Sequence, residues 1–457
     1  MKRHLITMMF ALLVVGLLTA CSNGDEQMTV ITEPEVPQKE ESSDADDAQR
    51  DSSQESEASK TEDSSGTPIV VVPKQREDIT LTAEGSIIND AVNQFSLKFF
   101  KELYNHQTSP VNTMVSPFSA QVALSMAANG AKGQTLEEIL TAMNLKDFSL
   151  DDVNQYNKTI VKALTELDNT SFVSSANGIW SKVQLLESYI NQIRSVFNAN
   201  VKTTDFSKED INAINNWAKE QTHGMIPTLI DKDSDVDFLV VLANALYFEA
   251  VWEEPFVSDF TKKDKFTNSD KSQTDVDMMR EAGYRNYLNC SSFDLCEKRY
   301  GNSAFSMVFL LPHDNIALEK SINDFCQMDW KELSAKLSEN FKYVLLSVPK
   351  IQIENQKYDL IPSLKDLGIQ TAFNGLADFS NMTESTGLFI SAVEQKTALI
   401  LNETGTTAAA TTAIELSAIS TGEEPVPLDF KLNRPFAFII KEKSTGAILF
   451  AGAINKQ

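Results

Sequence analysis

The hydrophobic pattern divides the chain into three textures. Residues 5–18 are a nearly unbroken apolar run. Residues 22–76 carry few apolar side chains and no aromatic ones. From about residue 85 apolar positions recur with a helical period, first as Val92, Phe95, Phe99, Phe100 and Leu103. Ser116 then offers a helix N-cap and Pro117 suits the first helical position. That helix runs through Ala120, Val122, Ala123 and Met126 and should stop at Gly130. Thr135 and Glu138 have the spacing of a capping box for the next helix. Helices are expected to fill most of 90–235.

Further along, the period shortens. Residues 238–252, FLVVLANALYFEAVW, are apolar and bounded by acidic residues, as in a strand buried on both faces. More strands are expected within 284–311, 342–353, 388–401 and 434–453. The last of these reads as a hairpin turning at Lys443–Gly446. The order is that of one large α+β domain.

Charge refines this picture. The net charge of the 457-residue chain is −24, which argues against nucleic acid as a partner. Residues 22–76 hold 14 Asp/Glu and 5 Lys/Arg, so they contribute −9. Such a segment cannot bury enough apolar surface to offset its ordering entropy. An acidic, Ser-rich, extended linker is therefore expected over 22–84. The N-terminal run follows Lys2 and Arg3 and is too short for a comfortable membrane span, so 1–21 reads as an export signal. Its ending, Leu18-Thr19-Ala20-Cys21, resembles a bacterial lipobox. That resemblance implies cleavage before Cys21, a lipid on its sulfur and a membrane anchor without a spanning helix, on an outer membrane or cell surface.

Catalytic chemistry is scarce. His106, His223 and His313 are too scattered for a metal cluster, and GxSxG, HExxH and phosphate-loop patterns are absent. The GAKG at 130–133 reads as a helix stop and turn. Cys290 and Cys296 could pair or remain two reduced thiols; Cys326 is expected to behave as a small hydrophobe.

One stretch fits no ordinary element. GTTAAATTAIELSAIS, 405–420, has one charge, one Gly and no Pro. Clustered Thr disfavours a helix, small side chains disfavour a stable strand, and a solvent loop would hold more Gly, Pro, Asn and Asp.

The surrounding motifs resemble the serpin family over all of 85–457. They are VSPFSAQVALSMAANGAKGQTLEEI (115–139), INNWAKEQTHGMIPTLI (214–230), LANALYFEAVWEEPF (242–256) and SVPKIQIENQKYDLIPSLKDLGI (347–369). ADFSNMT (377–383), ETGTTAAATTA (403–413) and RPFAFII (434–440) complete the series. The resemblance implies a serpin fold: three β-sheets (A, B, C), eight or nine helices and an exposed reactive-centre loop. It implies no enzyme and no cofactor. It implies a monomer whose partners are proteases, trapped covalently after loop cleavage and insertion of the loop into sheet A. A non-inhibitory binding or carrier module is the alternative.

The odd stretch is then both loop and future strand. Positions 406, 408, 410, 412, 414, 416 and 418 are Thr, Ala, Ala, Thr, Ile, Leu and Ala, an uncharged face able to enter a core. The resemblance assigns the hinge to Glu403, Gly405, Thr406, Thr407, Ala408, Ala409 and Ala410; of these, Gly405, Thr406, Ala408, Ala409 and Ala410 are free of the charge, bulk and Pro typical of non-inhibitory members. Counting from Glu403 places the reactive bond at Ile419–Ser420. Counting back from Arg434 lands near Glu424–Pro425, a poor bond because Pro follows. Leu416–Ser417 and Glu423–Glu424 are secondary candidates. Ser116, Ser119 and Asn244 match polar residues beneath the sheet opening, with Gln395 where the family usually has His. Trp252 matches an aromatic under the upper opening. Lys350 and Glu403 match a pair tying the loop to the sheet.

Overall fold

The computed structural model describes residues 73–107, 111–231, 239–406 and 425–457. The first half is mainly helical: α1 (Ala83–Asn105), β1 (Thr113–Val115), α2 (Pro117–Gly130), α3 (Gly133–Ala142), α4 (Leu150–Glu166), β2 (Ser171–Ser181), α5 (Glu187–Phe197), β3 (Asn200–Thr203) and α6 (Lys208–Gln221). Strands then dominate: β4 (Val240–Val251), β5 (Lys262–Thr267), β6 (Gln273–Asn289), β7 (Phe293–Tyr300) and β8 (Phe305–Pro312). Next come α7 (Leu318–Cys326), α8 (Trp330–Glu339), β9 (Phe341–Pro349), β10 (Ile351–Asp359) and α9 (Ile361–Asp366). The last elements are β11 (Ala392–Leu401), β12 (Gly405–Thr406), β13 (Leu428–Lys431), β14 (Phe436–Glu442) and β15 (Ile448–Ile454).

Six strands form one sheet in the order β10-β11-β12-β4-β2-β3. The others form a path β1-β15-β14-β8-β7-β6-β9-β13, with β5 beside β6. The expected sheets B and C are thus continuous. The 17-residue β6 joins them, pairing β9 from Met278 to Asn286 and β7 from Tyr287 to Asn289.

Local signals explain several elements. The Ser116 hydroxyl accepts from Ser119 N, and Pro117 opens α2. Small side chains let α2 be buried almost all round; a Cβ on Gly130 would lie 2.7 Å from Met382. The final hairpin turns at Lys443–Gly446, where Glu442 accepts from the backbone of Ser444 and Thr445.

Helices fill most of 90–235, as expected, although the 11-residue β2 crosses that region. Two expectations need correction. Structure begins before residue 85: Thr82 caps α1, Ile79 N donates to Ser444 Oγ, and Leu81 packs on the core. Thr135 and Glu138 form no capping box. α3 starts two residues earlier, at Gly133, without a side-chain cap. The two side chains instead hold the segment after α9: Thr135 Oγ1 accepts from Asp378 N, and Glu138 Oε2 accepts from Gln370 N and Thr371 N.

Cys290, Cys296 and Cys326 are free thiols. The β6–β7 register sets Cys296 opposite Tyr287, not Cys290. Burial pushes the Cys296 and Cys326 thiols up to about 12, so both are poor nucleophiles.

Candidate functional site: a strand seat in the six-stranded sheet

β4 and β11 run parallel, but among the described residues they pair directly only at Ala392–Val241 and Val393–Leu242. At the opposite end β12 enters between them, antiparallel to both. Thr406 lies opposite Leu401 on β11 and Ala250 on β4. Between these two points the neighbouring strands are unpaired with each other. The sheet therefore holds a seat for one further strand, with its entrance already occupied.

The entrance is tightly built. Gly405 passes so close to β4 that a Cβ would meet Ala250 O at 2.0 Å and Val251 Cα at 2.7 Å. Only a glycine allows this approach. Asn402 shapes the turn before it, its Oδ1 accepting from Thr404 N, Thr404 Oγ1 and Gly405 N. Thr406 is 1% exposed, and its Oγ1 lies 2.7 Å from the Tyr300 hydroxyl. Burial pushes that phenol far above its ordinary range, so it stays neutral and can donate.

Trp252 is the platform under this turn. Its ring stacks on Tyr300, with centroids 4.2 Å apart and planes 11° from parallel. Its indole N–H donates to Asn402 O and its backbone N–H to Thr404 O. Phe256 N donates to Glu403 O. The Glu403 carboxylate accepts from Lys350 Nζ and Thr261 Oγ1, both at 2.9 Å. Burial alone would raise this carboxyl, but the Lys350 and Thr261 bonds outweigh it and hold the group below its usual value.

No sequence motif marks Lys298. This lysine is 1% exposed, with Nζ 4.3 Å from the Phe256 ring centre and 5.1 Å from that of Trp252. It donates to Glu254 O and to the Glu281 carboxylate, which Arg285 shares. Burial pulls its ammonium down to about 8, against the attraction of Glu281. A buried cation thus supports the aromatic platform under the Asn402–Thr406 turn.

Behind the middle of the seat lies a neutral polar joint. Gln395 on β11 accepts from Ser116 N at 2.7 Å and donates to Ser116 O at 3.0 Å. The Ser116 hydroxyl also donates to Leu449 O. Ser116, Ser119 and Gln395 are all buried. Asn244 stands on β4 opposite Asn177; its side chain lies outside the described set. In front, the segment after α6 ties onto the sheet. Asn215 accepts from Leu229 N and Ile230 N, and Asp231 pairs with Lys357 and the buried Lys396.

The structure therefore brings together Glu403, Gly405, Thr406, Trp252 and Lys350 at one end, and Ser116, Ser119 and Gln395 further down. Cys21, Thr407, Ala408, Ala409, Ala410, Leu416, Ser417, Ile419, Ser420, Glu423 and Glu424 lie outside the described residues.

Comparison with known proteins gives a consistent answer. The profile described as "Serpin (serine protease inhibitor)" matches residues 90–457. Iripin-2 of Ixodes ricinus is 33% identical over 383 residues, covering 82% of this chain and 94% of the relative. Human Serpin B4 is 30% identical, covering 80% of this chain and 99% of the relative. Among solved structures, native Tengpin, a thermophilic serpin, superposes with a TM-score of 0.73 at 28% identity, over 86% of this chain and 99% of that one. Serpin48 of the insect Tenebrio molitor gives 0.72 at 30% identity, over 82% and 100%.

Proposed function

The chain belongs to the serpin family, and from that premise we propose that it is a suicide inhibitor of extracellular serine endopeptidases. Cysteine endopeptidases that form the same kind of acyl-enzyme fall within this reading. The observation that carries it is the strand seat between β4 and β11, entered by Gly405 and Thr406. If the register of Thr406 continued, Thr407 would face Glu249 and Ile400, and Ala413 would face Ala243 and Glu394. Seven more residues could enter before meeting the direct β4–β11 pairs at Val241–Leu242. Full insertion would then require these pairs to part.

The reaction proceeds as follows. A protease nucleophile attacks the carbonyl of Ile419, and the Ser420 amine leaves. Residues 407–419 are then released at one end and insert as a strand. The acyl-enzyme is carried along before water reaches the ester. A dozen or so new ladder bonds at about 0.5–1.5 kcal/mol each would supply on the order of 6–18 kcal/mol. The small, uncharged residues near the hinge limit overpacking on entry. The inhibitor is consumed once. Elastase-like and subtilisin-like proteases are favoured over trypsin-like ones.

The same proposal includes location. Residues 1–21 are an export signal, Cys21 carries lipid, and the acidic linker holds the inhibitory domain away from a bilayer.

The test is a panel of active proteases resolved on denaturing gels. An adduct that survives SDS is the expected result. Clean cleavage without adduct across the panel would favour the non-inhibitory binding module instead.

A further inference from the structure

An aromatic patch lies exposed beside the point where the loop region returns to the fold. Tyr284 on β6 and Phe341 on β9 are 68% and 51% exposed. Tyr343 stands opposite Tyr284 in the β6–β9 register, with ring centroids 5.3 Å apart. Phe341 is two residues from Tyr343 and so shares its side of the strand. The Arg299 guanidinium sits 5.8 Å from the Phe341 ring centre. β13 joins the same sheet at Leu428, opposite Val344 and next to Tyr343. Val426, just before it, is 93% exposed. Large exposed aromatics in one cluster mark interaction surfaces, and Tyr, Phe and Arg are the residues enriched there.

We infer that this patch is a secondary docking surface for the target protease, engaged while the reactive loop is held in the protease cleft. The inference rests on the inhibitory reading above. The occupant follows from tether length. From Ser420 to Leu428 is eight residues, at most about 30 Å when fully extended. A protease of about 230 residues has a radius of gyration of roughly 17 Å. An enzyme gripping Ile419–Ser420 therefore has its surface within reach of Tyr284, Phe341 and Tyr343. Contacts there cost little additional entropy, because the loop already confines the enzyme. Aromatic rings with few rotatable bonds suit that task. The patch adds to the rate at which the protease is captured; the loop determines whether it is trapped.

The test uses the full chain and the double variant Tyr284→Ser/Phe341→Ser, with an elastase and a subtilisin, each also prepared with its catalytic serine replaced by alanine. The double variant should associate at least tenfold more slowly with active enzyme. It should bind the serine-to-alanine enzymes more weakly by a similar factor, with an unchanged unfolding midpoint. The single variant Tyr284→Ser keeps the Arg299–Phe341 contact and should show an intermediate loss. Unchanged rates and unchanged binding overturn the inference. A wild-type dimer that the double variant abolishes, with protease rates unaltered, overturns it in favour of a second copy of this chain. If the wild type is cleaved but never trapped, the inhibitory reading fails on its own. Binding of the serine-to-alanine enzymes then still decides: weakening supports the docking surface, and no change removes it.

Discussion

The Tyr300 hydroxyl meets the Thr406 hydroxyl at 2.7 Å, across 106 residues of sequence and beneath a buried strand end. That bond fixes the end of β12 inside the sheet, between β4 and β11. Thr406, the last residue of β12, thus faces the core.

Thr406→Arg should therefore act on the starting structure as well as on insertion. A guanidinium cannot occupy a 1% exposed site without a partner, and burying an unpaired charge costs several kcal/mol. The hinge should be expelled, and insertion should lose the race with deacylation. Under the inhibitory reading, the variant becomes a substrate, cleaved at the same bond without trapping. Gel adducts at wild-type yield would sink the inserting-strand mechanism.

Some of this was legible in the chain and some was not. The α2 cap at Ser116 and the turn at Lys443–Gly446 rest on neighbours in sequence, so local chemistry announces them. β2 reads SFVSSANGIWS, whose small and polar residues give no period-two pattern. It is a strand because β4 pairs with all of it, from Ser171 opposite Ala250 to Ser181 opposite Val240. Lys298 was invisible for a similar reason. Its cradle comes from β6 through Glu281 and Arg285, and from the segment after β4 through Glu254 and Phe256. Thr135 and Glu138 mislead because a local motif has been recruited by a distant partner, the 370–378 segment.

Glu403 gives a pH prediction. Its folded carboxyl is held below its ordinary value, the Lys350 and Thr261 bonds overcoming burial. Its stabilising contribution is therefore present above the unfolded pKa, near 4.3, and is lost as pH falls through the lower folded value. Glu403→Gln should unfold at lower temperature than wild type at pH 7. The gap should close as the pH is lowered below about 4. Melting curves at several pH values check this; a gap independent of pH would remove the ion pair as its cause.

Lys298 predicts a slope of the same sign in alkali. Its folded ammonium titrates at about 8, below its ordinary 10.5. Between these values the unfolded chain binds the extra proton, so stability from this group rises with pH. The full span corresponds to about 3 kcal/mol. Lys298→Met removes the buried charge while Arg285 stays on Glu281. The variant should be more stable than wild type at pH 7, and the two should converge toward pH 10. Denaturant midpoints across that range measure the difference.

Cys21→Ala tests location independently of inhibition. If Cys21 carries lipid, its replacement should release the product from membranes and abolish incorporation of labelled fatty acid. Protease trapping should be unchanged, because the fold is built from later residues, with α1 beginning at Ala83. Label retained in the variant would refute the lipid assignment.

Specificity supplies the sharpest check on the reactive bond. No Lys or Arg lies between Lys396 and Lys431. Trypsin-like enzymes need a cation before the scissile bond to meet the carboxylate in their pocket, so they should be poor targets. Ile419 is a medium branched apolar residue followed by the small Ser420, which suits shallow or open apolar pockets. A chymotrypsin-like enzyme could use Leu416 instead, at the loss of three inserted residues and with a weaker trap. Ile419→Arg should move inhibition toward trypsin-like enzymes by well over tenfold in association rate, with strand length unchanged. Mass spectrometry of the fragment released from an elastase adduct should find Ser420 at its start. A start at Ser417 or Glu424 would relocate the bond to Leu416–Ser417 or Glu423–Glu424 and leave the strand seat between β4 and β11 as it is.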